Sequence, residues 1–292
     1  MSETPPVLQT KSTQWPRSFR HVVVRLGADG LIGAALLLLI VVAAGLASWL
    51  PLANPLHIDL HARFTPPGSS HHLLGADALG RDVLSRIVFG GRFTMAVALS
   101  ATALGLLLGV SAGLMAGYFG GLLDRLLMRL VDIVLSIPVM LLALLVIAAL
   151  GPSNLHLICV LGLTSWVRFA RIVRAECLSL RKRGFVLAAR VIGAGPWRIL
   201  FRHILPVIWP SILTIASLEM SRIVLMEVGL SFLGLGVQPP APGWGRMLAE
   251  GRNYLTTAWW LTVVPGLAIV VTVLSVTLMG NALRRNLDHC SY

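Results

Sequence analysis

The sequence predicts an all-α polytopic membrane protein with six transmembrane helices. Three observations carry this. Apolar residue types fill 56 % of the 292 positions and charged ones only 12 %. Runs of about 20 apolar residues, enough to cross about 30 Å of hydrocarbon as helix, recur along the chain. Basic residues gather on alternate sides of those runs. A soluble domain carries about 25 % charged residues. The composition excludes a disordered chain, which needs low hydrophobicity, and it speaks against a soluble enzyme.

Leu31 to Leu50 is a first run without any charge. It is longer than the apolar stretch of about 7–15 residues in a signal peptide, so it reads as a retained span. The second run is Phe93 to Phe119, rich in Gly and Ala. The third is Ile133 to Leu150, interrupted by Pro138. A fourth, Leu155 to Val167, is short and extends into the arginine-bearing stretch that begins at Arg168. The fifth lies within Ile204 to Leu235 and holds Pro210, Glu219, Arg222 and Glu227. Trp259 to Leu283 is the sixth, with Pro265 near its start. Gly105, Gly109, Gly113 and Gly117 recur every four residues in the second run, which predicts a small-residue face for close helix packing. Arg129 and Asp132 are i, i+3 neighbours and are expected to pair.

Placing the N-terminus in the cytoplasm puts 17 Lys and Arg residues on inner segments and 6 on outer ones. The excess fixes both termini inside. The net charge of +12 is therefore topological and implies lipid headgroups rather than nucleic acid as its partner. The chain divides into a cytoplasmic tail over 1–29, a first helix over 30–50 and an extracytoplasmic loop over 51–92. A core of five spans follows over 93–285, including an inner basic loop at 168–206, and a cytoplasmic tail at 286–292. Two loops of this length point to function.

No Gly-rich turn leads into a Lys-Ser or Lys-Thr pair, so the chain has no phosphate-binding loop of its own. If ATP drives it, a partner binds the nucleotide. HExxH is absent, and no set of residues reads as catalytic. His57 and His61, with Asp59 or Asp77, are weighed as metal ligands in the outer loop, where His71 and His72 also lie. The polar-loop reading is preferred, and no metal is expected. Cys159, Cys177 and Cys290 are too scattered for a disulfide framework.

Residues 185–206 read FVLAARVIGAGPWRILFRHILP. Ala188, Ala189 and Ile192 share one side of a short helix. Gly193 and Gly195 break it, and Pro196 suits the first turn of the next. Trp197, Leu200 and Phe201 form an apolar stripe, and the element is expected to end at Pro206, where the fifth span begins. Small residues here let another protein's groove approach closely.

This segment resembles the E-A-A…G…L-P loop of ABC importer permeases, with Ala188, Ala189, Gly193, Leu205 and Pro206 matching and Leu187 in place of the Glu. LLGADALGRDVLSRIVFGGR (73–92), AGYFGGLLDRLLMRLVD (116–132) and LSFLGLGVQPPAPGWGRML (230–248) are similar to stretches of the dipeptide, oligopeptide and nickel permeases. The similarity covers about residues 30–288 and fits the second permease of such a system. It implies a type I ABC importer permease fold in a bacterial inner membrane. It also implies a peptide path shared with a second homologous permease, one or two ATPase subunits that bind ATP and Mg, and an extracytoplasmic solute-binding protein. Leu187, Ala188, Ala189, Arg190, Gly193, Ala194, Gly195 and Pro206 would then form the coupling element. A nickel or metal-chelate importer is the alternative on the same scaffold. An intramembrane enzyme is the alternative of another class.

Glu219, Arg222 and Glu227 lie at membrane depth, where ionisable residues face a bundle interior or a watery path. Glu219 and Arg222 are i, i+3 neighbours that either form a structural pair or line the path with Glu227.

Overall fold

In a bilayer every backbone N–H and C=O must be satisfied within the protein, so apolar runs become helices. The computed structural model describes residues 27–288, apart from 70, 71 and 237. The charges expected at Lys11, Arg17, Arg20 and Arg25, as well as His71 and Cys290, lie outside the described residues. Among the described residues ten α-helices follow in order: α1 Ala28–Gly45, α2 Val83–Phe119, α3 Gly121–Ser136, α4 Val139–Leu150 and α5 Asn154–Leu180, then α6 Gly184–Val191, α7 Pro196–Ile199, α8 Leu205–Phe232, α9 Trp244–Gly251 and α10 Trp260–Asp288.

Among the described residues, five helical stretches are long and apolar enough to cross a membrane. A sixth span exists only if α3 and α4 count as one, and they meet at 84°. The break falls at Ile137 and Pro138, both extended, because Pro cannot donate the helical hydrogen bond and its ring clashes with the preceding turn.

Three boundaries differ from expectation. α2 begins at Val83, inside the segment read as outer loop, where Asp82 caps it by accepting from the Ser85 N–H at 2.8 Å. Its 37 residues span about 55 Å, so it projects beyond the hydrocarbon. α5 runs on to Leu180, which makes the first part of the supposed inner loop 168–206 helical. Pro206 is no boundary either: Pro196 to Phe232 forms one 37-residue stretch. A π-helical turn at Leu200–Ile204 precedes Pro206, which has no N–H to donate, so the widened turn carries the chain through.

The glycine face of α2 packs on α5. A Cβ on Gly105 would lie 1.9 Å from the Ser165 hydroxyl, and one on Gly109 2.3 Å from the Trp166 carbonyl. Only a missing side chain permits this approach. Among the described residues, the buried apolar side chains form three clusters. One, at the end that carries α9, gathers Met95, Ile147, Leu157, Ile223, Trp244 and Trp260. A second, at the end that carries α6, holds Leu114, Val173, Val186, Ile199, Ile204 and Ile208. Val131 of α3 joins Trp166, Val167 and Ala170 of α5 in the third.

At the end that carries α9, Asp77 accepts from Arg81 Nε at 2.7 Å and from Arg86 Nη1. Arg86 and Arg81 also reach Glu250 Oε2 of α9 at 2.9 and 3.1 Å, and Arg246 donates to Glu250 Oε1 at 2.8 Å. Two indole N–H groups tie the same layer together: Trp244 donates to the Ile87 carbonyl at 2.8 Å, and Trp260 to that of Ala76 at 3.2 Å.

Candidate coupling element and buried charges

α6 starts after Arg183 and stops at Ile192, because Gly193 takes φ +85°, a left-handed backbone that side chains with a Cβ rarely adopt. Gly195 then begins α7, with Pro196 in its first turn. Sequence and structure agree on this helix–glycine–helix element. They differ on its faces: Ala189 is buried, whereas Ala188 and Ile192 are exposed. Val186 and Ala189 anchor α6 in the second cluster with Ile199 and Leu200 of the following turn. The outward crest is apolar. Val191 and Ile192 are 88 % and 85 % exposed, and Leu187, Trp197 and Phe201 are about half exposed. Arg190, Gly193 and Gly195 are exposed, and Ala194 is half-buried.

The C-terminal end of α2 clamps this element, a contact the sequence reading missed. Arg181 Nη1 donates to the Gly117 and Tyr118 carbonyls at 3.1 and 3.2 Å, satisfying groups that a helix C-terminus leaves open. Arg190 lies over the Tyr118 ring at 5.0 Å, and Phe119 packs edge-on against Trp197 at 5.9 Å, with Phe201 stacked behind. The sequence signal was the YFGG stretch at 118–121, which ends a long helix with aromatics and puts Gly120 and Gly121 at positive φ.

Glu219 and Arg222 do pair, at 3.0 Å, but they are not alone. Arg168 Nη1 of α5 donates to the other Glu219 oxygen at 2.9 Å. Glu219 is almost fully buried and Arg168 about half exposed, so the trio joins α5 to α8 with one net positive charge. Glu227 stands apart. Two turns further along α8 and fully buried, it accepts from Thr94 at 3.2 Å and Ser231 at 2.7 Å.

The Arg129–Asp132 pair does not form. Asp132 accepts from Arg171 at 2.7 Å instead, and Asp124 holds Arg174 through two bonds, one of them 2.7 Å. Arg168, Arg171 and Arg174 thus form a ladder on α5, each rung fixing a carboxylate of another helix. Their three-residue spacing was the legible signal of a helix there.

No group of three or more His, Cys, Asp or Glu among the described residues is placed to hold a metal. His61 falls in a single tight turn, Leu60–Ala62, which His57 precedes. The turn does not carry His57 and His61 on one helical face. His72 pairs with Asp82 at 3.1 Å.

A family model described as "binding-protein-dependent transport system inner membrane component" matches residues 105–289. The di/tripeptide transport system permease protein DppC of Pseudomonas aeruginosa is 39 % identical over 93 % of this chain and 90 % of its own length. The dipeptide transport system permease protein DppC of Escherichia coli K12 is 41 % identical over 93 % and 92 %. The glutathione transport system permease protein GsiD of Pectobacterium atrosepticum is 38 % identical over 99 % and 96 %. Among solved structures, a chain of the MetNI methionine ABC transporter in inward-facing conformations shares the fold. The match has a TM-score of 0.56 and 21 % identity, and covers 69 % of this chain and 96 % of that one. The chain therefore belongs to the binding-protein-dependent transport system inner membrane component family, as a membrane-spanning permease subunit of an ABC transporter and not its ATPase.

Proposed function

We propose that this permease and a second homologous permease together form the path of an importer for di- or oligopeptides. Both of its termini then lie in the cytoplasm. The near full-length identity to peptide permeases of two species supports the substrate class. The glutathione relative extends it to a tripeptide with an unusual linkage. An extracytoplasmic binding protein delivers the peptide, and ATP with Mg stays on partner ATPases.

The observation that carries the mechanism is the clamp between the coupling element and α2. An ATPase groove that takes the crest of Leu187, Val191, Ile192 and Trp197 moves a rigid body. Arg181, Arg190 and Trp197 pass its displacement to the inner end of a helix whose other end reaches the outer cap. Leu187, where the family motif has Glu, makes this docking apolar. Glu219, Arg222 and Arg168 line the path, offering one carboxylate and two guanidinium groups to a solute with both charges.

The test is uptake of labelled dipeptide in cells carrying Gly193→Leu, with permease, ATPases and binding protein co-purified in mild detergent. The expected result is lost uptake, normal membrane insertion and weakened ATPase retention. Normal uptake by that variant overturns the coupling assignment. Normal uptake by Glu219→Gln removes the trio from the path.

A further inference from the structure

α3 has three faces, and among the described residues only one packs against the rest of the chain. Val131, with Met128 and Val134 beside it, packs into the cluster of Trp166, Val167 and Ala170. Leu122, Leu126, Leu130 and Ile133, spaced at i, i+4, i+8 and i+11, form a stripe that is 48–65 % exposed. Arg125 and Arg129 border this stripe one helical turn from Leu122, Leu126 and Ile133. Both are exposed, and neither makes a hydrogen bond or ion pair among the described residues.

The depth of α3 follows from its ion pairs. Asp132–Arg171 is exposed by 62 % and 55 % on its two sides. A pair that open does not belong in hydrocarbon, where charges are costly, so α3 lies at the level of the headgroups. The 84° bend into the apolar α4 turns it out of the direction of the span. An amphipathic helix at that level, with a leucine face and unpaired arginines along its edge, has the chemistry of a helix lying in the interface.

We infer that α3 is an interfacial helix that buries its Leu122–Leu126–Leu130–Ile133 stripe among acyl chains and holds the phosphate of an anionic phospholipid between Arg125 and Arg129. Charge complementarity selects the occupant. The stripe is bordered by two guanidinium groups that hold no carboxylate among the described residues, and a negatively charged headgroup supplies a countercharge directly above the acyl chains that cover the leucines. α3 sits on the same side as the coupling element, since it follows α2 after Gly120. An anionic lipid bound there braces the Asp124–Arg174 and Asp132–Arg171 contacts of α5 against the clamp. The helix position and lipid preference do not depend on which solute is carried.

The experiment uses the co-expressed transporter complex in nanodiscs of phosphatidylcholine, with or without phosphatidylglycerol. A nitroxide on Leu126→Cys is expected to be more accessible to oxygen than to a water-soluble nickel chelate, as acyl-chain contact requires. Native mass spectrometry is expected to show retained phosphatidylglycerol. Each arginine contributes a factor of about five to that preference, so Arg125→Gln/Arg129→Gln loses at least about tenfold of it. A Leu126 label shielded from both reagents means that the second permease covers the stripe and overturns the inference. Unchanged phosphatidylglycerol retention in the double variant overturns it equally. Both variants alter exposed side chains, and retained ATPase in the complex verifies assembly.

Discussion

The two ends of this permease are built on opposite principles. At the end that carries α9, charges are buried and satisfied: Arg86 is 3 % exposed and shared between Asp77 and Glu250. At the end that carries α6, the candidate coupling element exposes an apolar crest and meets α2 through two guanidinium groups and a few aromatic edges. A buried ionic network breaks all at once when one member is lost, so it suits a part that stays fixed. Aromatic and cation–π contacts are worth about 0.5–1.5 kcal/mol each and are weakly directional. They suit a part that shifts as a body against its neighbour.

Arg86→Met tests the fixed end most severely. It leaves Asp77 with Arg81 alone and Glu250 with Arg81 and Arg246, with an expected loss of about 3 kcal/mol, visible as a lower thermal midpoint of the detergent-solubilised complex. An unchanged midpoint would abolish the contrast between the ends.

Between the ends, Gly109→Val pushes a side chain onto the Trp166 carbonyl. Overpacking of about 1–3 kcal/mol or more is expected, read as loss of monodisperse protein in size-exclusion chromatography. Trp197→Ala at the α6 end is expected to cost about 1 kcal/mol in stability. Its larger effect is on peptide transported per ATP hydrolysed; a normal ratio would remove Trp197 from the clamp.

Acid sharpens the comparison further. Burial pushes the Glu250 carboxyl up, but the charge of Arg86, hydrogen bonds from Arg246 and Arg86, and the charge of Arg81 outweigh it and hold the group below the usual carboxylate range. A depressed folded pKa adds stability above the unfolded value, about 4.3 for Glu, and loses it as pH falls through the folded value. Hydrogen exchange of residues 73–86, corrected for intrinsic rate, is therefore expected to be steady from neutral pH to about 5 and to rise below about 4. Glu250→Gln should remove that step. The smallest effect is expected from Arg171→Gln, whose exposed pair with Asp132 contributes under about 1 kcal/mol.

Much of this architecture was legible in sequence because the membrane imposes simple rules. Charge-free runs of about 20 residues, the four-residue glycine period of α2 and the Gly193–Gly195–Pro196 punctuation each have one local physical meaning, and each appears as helix, packing face or break, although the third run is split at Pro138 and two helices outrun their apolar runs. The Glu219–Arg222 pair was also legible, since helical spacing alone brings i and i+3 together. Partner choice was not. Asp132 has Arg129 at the favoured spacing and still pairs with Arg171, because α5 is helical through Leu180 and carries that arginine across to α3. The same extension supplies Arg168 to Glu219.

Composition, hydropathy and turn residues by themselves determined that the chain is a bundle of spans with a helix–glycine–helix element between the fourth and fifth. They did so because those properties depend on neighbours along the chain and on the solvent. Only the tertiary structure decided that the element is clamped to α2, that Pro206 lies within a continuous helix, that α3 turns away from α4, and which carboxylate each arginine holds. Those outcomes depend on which helices approach one another, and side chains distant in sequence settle that by packing.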